Sequence, residues 1–436
     1  MFFKPVYIVD GARSPFLKSR HTPGPFSASD LATQCGRALL MRQPFAPSEL
    51  DEVILGCAAP SVDEINIGRV VALRLGCGAR VPGWTVMRNC ASGMQAIDSA
   101  IVNIQNGRSQ LVLAGGVDAL SHAPLFYSPT MVRWFASLLQ ARTPLAKAAQ
   151  FARLSPKQLF SPVVGLLKGL TDPSIGLLMG QTAENLAWRF GISRQQMDQF
   201  SERSHQRAIA ARAAGANAGI VPLVDAQGTL YEHDDGVRDD ASLERLARLK
   251  PFFDRKYGRI TAGNSSQVSD GAAWLLLASA PAVERWQLQP LGRISDCQWA
   301  ALDPAAMGLG PVHATTPILR RQALALADID RWEINEAFAA QVLACLDAWR
   351  SDEYCRQELG LLGELGSIDE QRLNPDGGAI ALGHPVGASG ARIVLQLLHG
   401  LRASGGRRGI AAICIGGGQG GAMLVDGGTE IPDGLH

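Results

Sequence analysis

The sequence predicts an α/β chain built from two related halves, and two observations carry that prediction. Short apolar runs alternate with amphipathic helical patterns, as buried strands joined by helices require. The same order of elements then returns near the carboxyl end. Both "NCASGMQAIDSAIVNIQNGRSQLVLAGG" and "GHPVGASGARIVLQLLHGLRASGGRRGIAAICIGGG" run from a small-residue turn through an amphipathic helix to an apolar strand that ends in glycines. The second copy has the longer helix-to-strand connection. Such a duplication predicts two halves facing one site, with Cys90 and His384 at equivalent turns.

Along the chain, "VYIVD" from Val6 is the first strand. No charged segment with a signal-peptide apolar core precedes it, and no apolar run reaches spanning length, so a cytoplasmic chain is expected. "EVILG" is the next strand, and a helix from about Gly93 to Asn106 leads into the strand "QLVLAGG". From about Ser121 to Gly180 the character changes. Arg133, Arg142, Lys147, Arg153, Lys157 and Lys168 face a single acid there, Asp172. Met131, Trp134, Phe135, Leu138 and Leu139 recur at helical spacing, which predicts a helix whose apolar face has Arg133 and Arg142 near it. Two readings follow: a helix packed on its own domain, or a basic amphipathic surface that docks on a membrane or a partner. Met179 to His205 is helical again, with Ser193 as an N-cap. The acidic "EHDDGVRDD" reads as a solvated loop.

A length of 436 residues suggests two or three domains. The balance of 41 Lys and Arg against 40 Asp and Glu gives no whole-chain reason to expect nucleic acid. Eight cysteines, at 35, 57, 77, 90, 297, 345, 355 and 414, form no C-x-x-C pair and no His-spaced set. Neither a disulfide framework nor a metal site is expected, and a reduced compartment fits. The 47 glycines gather in clusters such as "DGGAIALGHPVGASG" and "IGGGQGG", where backbone can approach a ligand closely.

Four stretches can do chemistry: "NCASG" at Cys90, "NEAFAAQ" at Asn335, "NPDGGAIALGHPVGASG" around His384, and "CIGGGQGG" from Cys414. Cys90 stands where a helix begins, and the helix dipole there favours a thiolate. His384 is the natural base for it. A second cysteine, Cys414, is superfluous for simple acyl transfer but suits a reaction that also moves a proton at carbon. The N–H groups of Gly416 and Cys90 can face a developing oxyanion. Asn335 can fix a water, and Glu336 can orient the histidine or that water.

These motifs together resemble those of the thiolase family. Asn374 to Gly390 is similar throughout to the family's histidine signature, and "NEAFAAQ" and "CIGGGQGGAML" are similar to its other carboxy-terminal motifs. "VYIVDGARSPF" resembles its opening strand and "TAGNSSQVSDGAA" its segment beside coenzyme A, so the resemblance covers essentially the whole chain. It implies a five-layered αβαβα fold of two halves: 1–120 completed by about 248–280, and 281–436, with a loop domain inserted over 121–247. The activity implied is thiolysis of 3-ketoacyl-CoA through an acyl-cysteine, or the reverse condensation. By this resemblance Cys90 takes the acyl group, His384 activates it and helps bind the thioester oxygen, and Cys414 exchanges a proton with the acetyl-CoA α-carbon. Asn335 holds the water of one oxyanion hole, and the N–H groups of Cys90 and Gly416 form the other. The resemblance further implies that Ser266 and Met179 lie along the pantetheine of coenzyme A, which is a substrate, with no tightly bound cofactor.

Leu178-Met179-Gly180 replaces the His-Met-Gly of many thiolases. With the basic segment before it, this resembles the thiolase subunit of fatty-acid oxidation multienzyme (trifunctional) complexes, although Asn335 follows the general pattern where that subfamily often has His. The implied partners are a second copy in a homodimer and an enoyl-CoA hydratase/3-hydroxyacyl-CoA dehydrogenase subunit, with peripheral membrane contact through the basic segment. A degradative enzyme of medium or long chains is the leading expectation, and a biosynthetic acetoacetyl-CoA thiolase the alternative. A decarboxylating ketoacyl synthase has one cysteine where this chain has two. A non-catalytic relative is expected to lose one of Cys90, His384 and Cys414, and all three are present.

Overall fold

The computed structural model describes residues 4–20, 22–152, 154, 161–216 and 219–428. Of the basic residues singled out above, Arg153 and Lys157 lie outside the described residues. The first half contributes strands β1 (Val6–Arg13), β2 (Glu52–Gly56), β3 (Gly83–Val86), β4 (Leu111–Ala119) and β5 (Ser269–Ser279). The second contributes β6 (Gly292–Ala301), β7 (Arg331–Ile334), β8 (Arg408–Ile415) and β9 (Gln419–Gly427). They join in one sheet of order β7-β8-β9-β6-β1-β5-β4-β2-β3.

That order is a duplication. In the first half β1 and β5, and β5 and β4, are antiparallel, whereas β4, β2 and β3 run parallel. The second half repeats it: β6 and β9, and β9 and β8, are antiparallel, and β8 and β7 are parallel. A parallel bridge from Trp332 to Leu373 stands where β3 stands in the first half. The two copies meet through a short antiparallel pairing of β1 and β6 at Tyr7–Ile8 and Gly292–Arg293.

Helices complete five layers. Helices α1 (Ala28–Met41) and α2 (Ile67–Arg74) pack on the outer face of the first half. Helix α3 (Ser92–Gln105) and the last helix, α10 (Val386–Ser404), lie together between the two halves, and α10 touches strands of both. On the far side α8 (Gly310–Arg321) and α9 (Ala339–Arg350) close the second outer core. The observed α3 agrees with the helix expected from the hydrophobic period.

The connection between β8 and β9 is the tight turn Gly416–Gly418, with φ of 92° at Gly417 and 72° at Gly418. Its counterpart between β4 and β5 is the whole of 120–268. Within it α4 (Pro129–Gln140) and α5 (Pro144–Ala152) form a hairpin, in which the Trp134 indole N–H donates to the Gln150 carbonyl at 2.8 Å and stacks edge-on against Phe151. Met131 is buried, but Leu139 and Leu145 are 85% and 82% exposed. Helices α6 (Met179–Arg189) and α7 (Arg194–Ala213) follow, and Ser193 caps α7 by accepting from the Gln196 N–H as expected. The expectation of a solvated acidic loop near residue 235 fails at Asp234. Its carboxylate is buried, grips the Arg13 guanidinium with both oxygens at 2.7 Å, and accepts the Phe16 N–H. An acidic run read by charge alone conceals a member with a fixed partner. Among the described residues no helix is long and apolar enough to cross a membrane, no His, Cys, Asp and Glu cluster suits a metal ion, and every cysteine is free.

The central helices approach each other through glycine. A Cβ on Gly116 of β4 would lie 1.9 Å from the Gly387 carbonyl oxygen, and one on Gly93 of α3 2.7 Å from the same atom. That atom cannot yield, because it belongs to backbone held in helix α10. Gly116→Ala is therefore expected to lower stability by more than about 3 kcal/mol, the upper range for overpacking. Gly169→Ala, where an added Cβ meets nothing within 4 Å, should stay within about 0.5 kcal/mol. Paired thermal unfolding scans check this, and an unshifted melting temperature for Gly116→Ala contradicts it.

Candidate active site

The turns ahead of the two central helices are built alike. Cys90 stands two residues before α3, and His384 two residues before α10. The residue preceding each has positive φ, 43° at Asn89 and 106° at Gly383. Asparagine is among the few side-chain-bearing residues that adopt this region readily. The Asn89 amide donates to the Gly416 carbonyl at 2.9 Å, tying this turn to the glycine turn of the second half. Ser92 closes the same turn: its hydroxyl donates to the Asn89 carbonyl at 2.8 Å and accepts the Arg88 N–H at 2.9 Å.

Two cavities meet at Cys90. The smaller, about 340 Å³, is lined by Cys90, His384, Cys414, Ser266, Met179 and Phe253, among others. The larger, about 640 Å³, is walled by Cys90, Met179 and Gly416 together with Leu166, Leu170 and Asp172 from the long connection. Six of the seven residues expected from sequence thus line this joint space. The seventh, Asn335, is fully buried two residues before the cavity-lining Ala337, and neither atom of its amide has a partner among the described residues. Buried polar groups left this way are ordinarily satisfied by a held water. Ser266 is set by its N–H donating to the Ala337 carbonyl at 2.9 Å, which zips the "GNSS" segment onto "NEAF".

The hydrogen bonds around His384 favour one tautomer. The Ser389 hydroxyl, one turn into α10, donates to the Pro385 carbonyl at 2.9 Å. A hydroxyl has one proton to give, so with that proton on the Pro385 carbonyl the ring donates in the 2.6 Å contact between His384 Nδ1 and Ser389. The lone pair is then on Nε2, which has no protein partner among the described residues. No hydrogen bond joins it to the Cys90 thiol in this resting arrangement, a looseness common before substrate binds.

Burial governs the protonation states. It pushes the His384 imidazole down to about 4, with the Arg392 charge adding to the effect. It pushes the Cys90 thiol up to about 11, outweighing the Gly416 and Cys90 N–H groups that favour the thiolate, and the Asp118 charge pushes the same way. The expectation that the helix start would lower this pKa is thus corrected, because desolvation exceeds what N–H donors return. Cys414 is pushed well above its ordinary value by burial, then by Cys90 and Cys345. All three shifts favour the uncharged forms at neutral pH, a neutral imidazole and two protonated thiols.

Glu336 does not act as expected either. Its carboxylate accepts the Ser204 hydroxyl at 2.7 Å and the Asn374 amide at 2.8 Å, and so clamps the start of the histidine segment instead of orienting the histidine or a water. A residue the sequence reading passed over is Asp118. One oxygen accepts the Ala59 N–H at 2.9 Å, the Ala58 N–H at 3.2 Å and the Cys57 thiol, and the other accepts the Gly387 N–H. It stitches a wall of the larger cavity to the start of α10, just after His384. The signal was available: Asp118 is the only charged residue in the buried strand Leu111–Ala119.

Models of the thiolase N-terminal domain and the thiolase C-terminal domain match residues 6–281 and 288–427. The chain belongs to the thiolase family. It is 41% identical over 427 residues to a beta-ketoadipyl-CoA thiolase of Pseudomonas aeruginosa, covering 97% of this chain and 98% of that one. It is 36% identical over 424 residues to a 3-ketoacyl-CoA thiolase of Serratia proteamaculans, covering 97% and 96%. The crystal structure of human mitochondrial 3-ketoacyl-CoA thiolase in complex with CoA superposes with a TM-score of 0.82 at 34% identity, covering 98% of both chains. Thiolases are acyltransferases for which CoA is a substrate and not a tightly bound cofactor.

Ser389 gives this thiolase a test. Ser389→Ala removes the acceptor that holds the His384 Nδ1 proton, a loss of about 1–1.5 kcal/mol. That corresponds to about tenfold in kcat with KM little changed. Steady-state thiolysis separates the two parameters, and a change confined to KM would show that Ser389 does not set the imidazole.

Proposed function

We propose that the chain cleaves medium- or long-chain 3-ketoacyl-CoA with CoA, giving acetyl-CoA and a shortened acyl-CoA in fatty-acid β-oxidation. The observation that carries this reading is the meeting of two cavities at one cysteine. A 3-ketoacyl thioester with its C3 carbonyl at Cys90 must send pantetheine one way and its acyl chain the other. The smaller cavity, with Ser266 and Met179 on its wall, suits pantetheine. The larger suits the chain, and about 640 Å³ is far more than an acetyl group needs. That volume favours the degradative reading over biosynthetic condensation of two acetyl-CoA.

In the proposed cycle His384 Nε2 takes the Cys90 proton as sulfur attacks C3, and the Cys90 and Gly416 N–H groups stabilise the oxyanion. The C2–C3 bond breaks, and Cys414 gives its proton to the acetyl-CoA carbon. A high thiol pKa keeps that proton in place until it is needed. The water held by Asn335, with His384, binds the enolate oxygen of the leaving acetyl-CoA. Incoming CoA then attacks acyl-Cys90, its proton going to the Cys414 thiolate, and His384 returns its own to Cys90. Every group ends as it began.

The basic hairpin supports a second element of this reading, peripheral attachment to an anionic membrane. Arg133, Arg142 and Lys147 are exposed beside the exposed Val132, Leu139 and Leu145, and no acid stands between Ser121 and Asp172. Apolar side chains interleaved with cations suit an interface of anionic headgroups. A homodimer and a cytoplasmic complex with a hydratase/dehydrogenase subunit complete the proposal, since such a complex would hand over its product at this surface.

Two measurements test these readings. Thiolysis of 3-ketohexadecanoyl-CoA and acetoacetyl-CoA, run in parallel with Cys90→Ala as blank, should give the higher kcat/KM with the long substrate and none with the variant. Preference for acetoacetyl-CoA would favour the biosynthetic enzyme. In co-sedimentation, the protein should bind phosphatidylserine-containing vesicles but not phosphatidylcholine vesicles, and salt should release it. Absence of binding at low salt removes the membrane element.

A further inference from the structure

We propose that Asp172 determines specificity by excluding acyl chains that end in a carboxylate. This rests on the reading that the larger cavity holds the acyl group. Asp172 lines that cavity and is only 3% exposed. One carboxylate oxygen accepts the Ser174 N–H at 2.8 Å and the Ser174 hydroxyl, while the other has no protein partner among the described residues. The backbone around it is pinned, with the Asp172 N–H donating to the Leu177 carbonyl and its carbonyl accepting the Gly176 N–H, both at 2.8 Å. The loop that carries the charge is therefore fixed at the cavity wall, and Ser174 holds the carboxylate there.

The rest of the cavity does nothing to offset it. No Lys, Arg or His lines this space among the described residues, and the lining is otherwise apolar or neutral, as with Leu120, Phe126, Leu166 and Leu170. The Ser174 donors, with the Gly417 N–H nearby, hold the Asp172 carboxyl below its ordinary range, so it is ionised at neutral pH. An alkyl chain passes beside this wall at little cost. A chain whose far end is itself a carboxylate must lose its water, finds no cation, and meets a like charge in a partly desolvated space. Selectivity against a substrate is commonly built this way, from a repulsive group and not from an added attraction.

The inference separates this chain from what the name of its Pseudomonas aeruginosa relative says of that protein. The comparison that tests it uses two six-carbon substrates of nearly equal size: 3-ketohexanoyl-CoA and 3-ketoadipyl-CoA, the second carrying a carboxylate where the first has a methyl. Wild-type thiolysis should favour 3-ketohexanoyl-CoA by at least about tenfold in kcat/KM. In Asp172→Asn, which keeps the shape and one acceptor oxygen, the ratio should shift toward 3-ketoadipyl-CoA by about tenfold. A wild type that prefers 3-ketoadipyl-CoA overturns the inference, as does an Asn variant whose ratio stays where it was. The wild-type ratio alone decides the matter if the variant does not fold. Absence of thiolysis of either substrate by the wild type is a separate outcome, which defeats the functional reading and the inference with it.

Discussion

The site exists because two central helices come together at a distance only glycine permits. Gly93 and Gly390 sit on facing helices, Gly116 lies on the strand beneath, and Gly387 stands where the others converge. Side chains at these points would hold α3 and α10 apart and would separate the turns that carry Cys90 and His384. Close packing of this kind does not relax gradually, since protein interiors have little free volume to yield. Asp118 adds a polar tie at the same crossing by receiving the Gly387 N–H. Catalytic geometry is here a consequence of backbone packing, and the reactive side chains are carried by it.

A second constraint follows from the first. At a crossing this tight His384 and Cys414 are buried and Cys90 is half-buried in the cavity wall, so the reactive groups lose much of their water and their ordinary protonation behaviour. The helix start and two N–H donors are aimed at Cys90, yet burial still leaves the thiol protonated and His384 neutral. Burial thus disfavours a standing thiolate–imidazolium ion pair, which would need costly desolvation of both charges. Charge develops only when a substrate carbonyl arrives to take it.

Much of this was legible in the sequence, for identifiable reasons. Duplication was visible because both halves need the same small-residue turn, helix and glycine-ended strand, and so Cys90 and His384 could be paired before any coordinates. Ser193 was legible as a cap because capping is a local interaction. What could not be read were interactions whose partners are distant in sequence. Asp234 looked like one acid among several until Arg13, more than two hundred positions away, proved to be its partner. Glu336 looked free to orient a histidine until Ser204 and Asn374 were found to occupy it. The balance between helix-end donors and desolvation at Cys90 was also beyond reach, because burial depth is a property of the packed whole.

The asymmetry between the halves explains how one chemistry can serve different substrates. Where the second half turns in three residues, Gly416 to Gly418, the first inserts everything from 120 to 268. Cys90, His384, Cys414 and Gly416 all belong to the duplicated core, whose strands and central helices are locked together. The outer wall of the larger cavity, from Phe126 through Leu166 and Leu170 to Asp172, belongs to the insertion. If that cavity holds the acyl group, as proposed, substitutions in its wall would change which acyl group fits without disturbing the helix crossing, whereas substitutions at the crossing would disturb both halves. Relatives at 34–41% identity bear names for different acyl groups. Substrate preference therefore has to be read from the insertion, residue by residue. The four reactive residues are compatible with any of these acyl groups, and a charged side chain on the cavity wall is the most discriminating feature to look for first.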